Sequence, residues 1–298
     1  MSSIRVNPMP MPDLLAALDQ LQQQQDTATL ELSTGSKINK PSDDPAGAAE
    51  LIQINDLSSQ VDSFQQSIGS INGLLSMADS ALSSVTTALQ RAISLGTEGA
   101  NGTLSDSDRA AIAAEVTGIQ SQLISLANTS YQGQFIFAGT AQTQPFLADA
   151  SSPSGVRYVG NLHTNQVAIG TGYNLQINLP GSQVFDGSGG DVFQSIQDLI
   201  TALQNNSGIG AAVSEVGNAS SYLSEQRVFY GNAMNQTNSQ STYLNSEKTG
   251  LAQQENNVSA ADIASVATQV TADQTAATAA LDAISRISQT GSLFDYLR

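Results

Sequence analysis

Apolar residues enter the chain at Leu14, Leu18, Leu21, Ala28 and Leu32, spaced alternately by four and three, with Gln25 at the one missing step. That spacing draws a narrow stripe along one side of a helix, suited to a coiled-coil partner rather than to a broad core. The segment is too short and too polar to hold as an isolated helix, so the stripe predicts a partner. "LSTGSKINKPSDDPAGAAEL", residues 32–51, then interrupts the pattern. Asp44 fits an N-cap there, and Pro45 fits the first helical position, where its missing N–H costs nothing. The alternation resumes at Ile54 and runs unbroken through Leu57, Val61, Phe64, Ile68, Ile71, Leu75, Ala78, Leu82 and Val85 to Leu89. At 1.5 Å per residue this predicts a helix of more than about 50 Å, and with it an elongated rod.

A stop and restart follow in "EGANGTLSDSDRAAI", where Asn101-Gly102 is turn chemistry and Ser105 with Asp108 makes a capping box. A third helix is expected through Ile112, Val116, Ile119, Leu123 and Leu126. From about Tyr131 to Gly190 the period changes, and "QFIFAG", "VRYVG", "QVAIG" and "YNLQINL" read as short strands between turn residues. Helical spacing returns at Val192, Ile196, Leu199 and Leu203, breaks at "NNSGIG", and continues through Val213, Val216, Leu223, Tyr230, Met234, Leu244, Leu251 and Val258. A last stripe holds Ile263, Val266, Val270, Ala277, Leu281, Ile284 and Ile287. Helices out, a β excursion and helices back suggest that the two ends lie side by side. The expected fold is therefore mainly α with an inserted β domain. Residues 1–40 with 259–298 form a terminal coiled-coil pair, 41–130 with 191–258 a helical core, and 131–190 the β insert.

Composition narrows the functional classes. Charged residues are 12% and aromatics 5%, with no Cys and no Trp, which leaves few nucleophiles, acids or bases. The net charge of −16, without any Lys/Arg cluster, argues against nucleic acid as a partner. No stretch reaches the roughly 20 apolar residues of a membrane span, so no membrane insertion is expected. The N-terminal "MSSIRVNPMPMPDLLAALDQ" lacks the apolar core and cleavage site of a Sec signal peptide.

Individual candidates for chemistry read as structural. Asp43 and Asp44 lack the further ligands of a calcium loop, so together with Pro45 they read as a helix joint. Lys37 and Lys40 follow no P-loop pattern, and His163, the only histidine, has no partner constellation. Neither catalytic residues nor a metal or cofactor site is expected. The stripes near both termini are short of buried area as a two-helix pair, which makes Leu14, Leu18, Leu21, Leu32, Ile263, Val266, Val270, Leu281 and Ile284 the candidate assembly interface. Arg227, Gly231 and Asn235 share one helix face. They are expected to pack on the outgoing helices, with Gly231 allowing close approach and Arg227 reaching a carboxylate or carbonyl.

With those residues in view, the chain resembles the bacterial flagellin family. "LSTGSKINKPSDDPAGAAEL" looks like the joint shared by flagellins and the hook-filament junction proteins, "ANGTLSDSDRAAIAAEV" like the restart of the second core helix, and "EQRVFYGNAMNQ" like the returning helix. Pro41 and Pro45 in "NKPSDDP", the segment "NTSYQGQFIFAGTAQTQPF" and the C-terminal "SLFDYLR" are similar to the junction branch, the third hook-associated proteins. "LQRAIS" is shared with flagellins, although Ser94, Leu95 and Gly96 replace what usually follows.

The resemblance implies a flagellin-like rod with its β domain at the distal end. It also implies a non-enzymatic component that joins the hook and its associated ring to the filament. Such a protein leaves through the flagellar type III export channel without a cleaved signal and assembles through its terminal helices. The partners implied are other copies of itself, a neighbouring hook-associated protein, flagellin and an export chaperone, at the extracellular hook-filament junction. A filament subunit is the alternative in the same class. A hydrolase or a surface-binding module in the β insert are the rivals outside it.

Overall fold

A computed structural model describes residues 10–289. The "SLFDYLR" segment lies outside them, as does the side chain of Ile287. Seven helices and eight short strands follow one another: α1 (Pro10–Thr34), α2 (Pro45–Gly99), α3 (Asp106–Ala127), β1 (Ser130–Tyr131), β2 (Gln134–Phe135), β3 (Phe146–Ala148), β4 (Val156–Tyr158), β5 (Gln166–Gly170), β6 (Tyr173–Gln176), α4 (Gly181–Phe185), β7 (Asp186–Gly187), β8 (Gly190–Asp191), α5 (Val192–Asn205), α6 (Ile209–Ser259) and α7 (Ile263–Gln289). The outgoing rod is a single helix, α2, of 55 residues, which at 1.5 Å per residue is about 80 Å long. No described helix is long and apolar enough to cross a membrane.

The chain divides into two compact units. One takes in α1, α2 as far as Ser59, α6 from Lys248, and α7. Its main contact is between α1 and α7. The end of α1 is stitched to the start of α7 by backbone, with Lys37 N donating to Ser259 O (2.7 Å), Ala261 N to Gly35 O (2.9 Å), and an antiparallel bridge between Ser36 and Ala260. The two terminal helices therefore run antiparallel from a fixed joint. Gly35 supplies the turn with φ of +70°, a backbone region that favours glycine.

The other unit runs from Gln60 to Glu247. The seam of α2 is sealed there: Leu75, Ala78, Leu82, Val85 and Leu89 are fully buried, and Val216, Ala219, Leu223 and Tyr230 are their buried counterparts on α6. Helix α3 packs on α5. It begins with the expected capping box, in which Ser105 and Asp108 satisfy each other's backbone N–H groups.

The strands form four separate two-stranded antiparallel hairpins instead of a sheet. Such hairpins are marginal by themselves. They are held by an aromatic cluster in which Phe146 meets Phe185 and Phe193 with ring centres 5.2 Å apart, and Phe137 meets Phe185 edge-on at 5.2 Å and Tyr230 at 6.5 Å. The β region thus takes its core from α4, α5 and α6 as well as from its strands. Three expected strands shorten: only Gln134 and Phe135 of "QFIFAG" pair, "VRYVG" ends at Tyr158, and "YNLQINL" ends at Gln176, with Ile177, Asn178 and Leu179 buried beyond it.

Candidate functional site

The α1–α7 pair places its stripe residues unequally. Leu18 and Ala28 are buried, while Leu14, Leu21, Gln25, Val266, Val270 and Ile284 are half-buried. Leu32, Ile263 and Leu281 lie in solvent at 39%, 46% and 53% exposure, joined by Leu15 at 50%. A straight helix drifts about 20° per heptad against a strict three-four stripe, so the apolar row leaves the α1–α7 contact at both ends. Between Val270 and Ala277 the buried position is taken by Asp273, 8% exposed, whose Oδ2 has no hydrogen-bond partner. A groove of about 450 Å³ on the same two helices is lined largely by amides, Gln20, Gln23, Gln24 and Gln269, with Glu31 and Val266. Helix α1 carries Asp13, Asp19, Asp26 and Glu31 and neither Lys nor Arg.

At the joint the carboxylates are consumed by the backbone. Asp43 Oδ2 accepts from the N–H groups of Asn39 (3.0 Å) and Lys40 (2.8 Å). Asp44 Oδ1 accepts from Ala46 N (3.1 Å) and Gly47 N (3.0 Å), while Pro45 opens α2. These are cap and turn contacts that fix the direction in which α2 leaves the joint. A Cβ at Gly47 would strike Asp44 and Ile38, so this glycine lets the turn close.

On the returning helix, Arg227 grips Asp79 of α2 with two bonds, Nε to Oδ1 at 3.0 Å and a terminal nitrogen to Oδ2 at 3.1 Å. Both side chains are about one-third exposed. Gly231 corrects the expectation of close approach, since a Cβ there meets nothing within 4 Å. Asn235 is exposed, and further along α6 the contact with α2 is made from another side by Thr237, fully buried, which donates to Asn72 Oδ1 at 2.5 Å. That polar step between two apolar seams lies 165 residues apart in sequence, and no local pattern marks it. Gln65 and Asn245 repeat the theme at 2.7 Å.

The remaining titratable cluster is the hairpin Asp186–Asp191. The ring of Tyr222 lies against it, and any side chain at Gly187, Gly189 or Gly190 would run into Tyr222 or α6. Asp186 keeps solvent on one side, yet crowding by the hairpin first and the charge of Asp191 second push its carboxyl up to about 7. Asp191 is also raised by burial, opposed by the α5 N–H groups that it caps. His163 stays in an exposed turn with its backbone N–H on Asn161 Oδ1 at 3.1 Å. Among the described residues no three His, Cys, Asp or Glu side chains are grouped to hold a metal. What the geometry offers is helix faces and caps.

Comparison with known proteins agrees with that geometry. Residues 9–142 match the bacterial flagellin N-terminal helical region. Flagellar hook-associated protein 3 of Escherichia coli K12 is 33% identical over 158 residues, 52% of this chain and 48% of that protein. Polar flagellin A of Vibrio parahaemolyticus is 33% identical over 141 residues, 47% of this chain and 38% of that one. The chain thus spans about half the length, or less, of these curated relatives. A crystal structure of the flagellar junction protein from Legionella pneumophila superposes with a TM-score of 0.60 at 15% identity, covering 70% of this chain and 99% of that one, a likeness of fold.

Proposed function

We propose that the chain is a member of the flagellin family and a structural subunit of the bacterial flagellum that joins the hook and its associated ring to the filament, a reading supported by its likeness to the flagellin N-terminal helical region and to hook-associated protein 3. The observation that carries this reading is the α1–α7 pair. Its seam is too narrow to cover its own apolar residues, and Leu15, Leu32, Ile263 and Leu281 remain in solvent beside it. At roughly 25 cal/mol per Å² of buried apolar surface, a second copy or a neighbouring flagellar subunit supplies the missing stabilisation. Residues 1–40 with 259–298 then act as the assembly segment, 41–130 with 191–258 as the supporting helices, and 131–190 as the outer β insert. Leu14, Leu18, Leu21, Val266, Val270 and Ile284 serve as the interface floor. Export follows the flagellar type III route with a dedicated chaperone, and the role is non-enzymatic.

Immunogold labelling of native flagella tests the proposal: label confined to the base of the filament supports it, and label along the whole filament overturns it. The match of residues 9–142 to flagellins favours a second reading, a filament subunit, which predicts the opposite labelling pattern. Deletion of the gene is a second test: filaments still attached to hooks in the deletion strain overturn the junction reading.

A further inference from the structure

We infer that Asn101 is a self-modifying site, at which the side-chain amide is lost to the backbone nitrogen of Gly102. The turn between α2 and α3 presents Asn101-Gly102 in solvent, outside any helix or strand. The Gly102 N–H has no hydrogen-bond partner among the described residues, and the space where a side chain would stand at Gly102 is empty. A backbone nitrogen with neither a Cβ beside it nor a hydrogen bond to break is free to turn on its neighbour. The electrophile is prepared on the other side. Asn101 Oδ1 accepts from Thr103 N at 3.1 Å and from Thr103 Oγ1 at 2.9 Å, so two donors draw electron density from Cγ and stand ready for the oxyanion that forms there.

The step is closed in atoms. The Gly102 nitrogen bonds to Asn101 Cγ, the Cγ–Nδ2 bond breaks, and ammonia departs with the proton that the nitrogen gives up. Water then opens the five-membered imide at either carbonyl, leaving aspartate or isoaspartate. The chain holds a second Asn-Gly pair, Asn72-Gly73, as an internal contrast. It lies inside α2, whose backbone hydrogen bonds and helical geometry keep the two groups apart.

The product changes the start of α3. Arg109, whose side chain is 7% exposed, reaches the Asn101 carbonyl at 3.4 Å and Asp106 at 3.0 Å, and its Nε has no partner. A carboxylate at position 101 adds a second negative charge beside that guanidinium and shifts the net charge of −16 by one unit. Isoaspartate also lengthens the backbone of the turn by one methylene. Copies of this chain therefore become chemically distinguishable with age at one turn.

Trypsin isolates the site in one peptide, Ala92–Arg109, whose single asparagine is Asn101. The folded full-length protein is held in mildly alkaline buffer beside the free synthetic peptide and the Gly102→Ala variant, then digested and examined by mass spectrometry. The expected result is a gain of about 1 Da in that peptide, split between two chromatographic isomers, one a substrate for isoaspartyl methylation. The gain should vanish in Gly102→Ala, whose Cβ enters open space on a backbone that is not left-handed, so the variant folds. Thr103→Val should slow it. No gain in the folded protein while the free peptide converts overturns the inference, and so does conversion of Gly102→Ala at the unchanged rate.

Discussion

Asp186 and Ser105 show what single polar side chains do to this fold. The Asp186 carboxyl is raised to about 7, above its unfolded value near 4, so the folded protein holds a proton that the unfolded chain has released. Its contribution is fully present below about pH 4 and is lost as pH rises through 7. Asp186→Asn should accordingly raise the melting temperature at pH 8 and flatten its fall between pH 4 and 7. A variant that melts with the same slope as the native chain removes the argument. Ser105 acts in the opposite sense, because its hydroxyl and the Asp108 carboxylate satisfy the first N–H groups of α3, and those bonds hold the Asp108 carboxyl below the usual range. Ser105→Ala should cost about 1 kcal/mol in urea unfolding. No loss would mean that water replaces the cap without penalty.

In α7 the apolar pattern conflicts with the burial at its middle. Asp273 stands at the buried step of an otherwise apolar stripe with an oxygen unpaired, and an unmatched buried polar group costs about 1–3 kcal/mol. Asp273→Leu should therefore tighten the α1–α7 pair and raise hydrogen-exchange protection in both helices, and a drop in protection would contradict the assignment of that face. This step was hidden in the sequence because apolar spacing runs from Val270 to Ala277 straight over it. The seams of α2 and α6 were legible because dozens of residues repeat one period. The hairpins were legible only in outline, since a ladder of two or three residues is too short to show alternation, and α4 has too few residues to show a helical stripe. Leu57 and Leu32 keep the spacing yet sit in solvent, which shows that period predicts the helix better than it predicts the partner. Capping motifs were readable at Asp44 and Ser105 because their partners lie within three residues, whereas the Asp79 grip on Arg227 spans 148 positions.

The whole chain contains two compact units, which predicts two calorimetric transitions rather than one. Limited proteolysis that trims α1 and α7 should remove the lower transition and leave the other in place; a single concerted transition in the intact chain would contradict this. The acidic balance sets a further expectation, because α1 has four carboxylates and no cation to offset them when copies meet. Added salt should therefore favour self-association, with most of the change below about 0.15 M, where the screening length falls to about 8 Å. The backbone joint of Gly35 to Lys37 with Ser259 to Ala261 also bears on synthesis. Helix α1 is complete at Thr34, whereas α7 starts only at Ile263. Throughout that interval the first helix emerges with its stripe bare, and no amount of local folding can cover it. The pair thus forms only once α7 has been made, and until then the nascent chain exposes an unclaimed apolar edge.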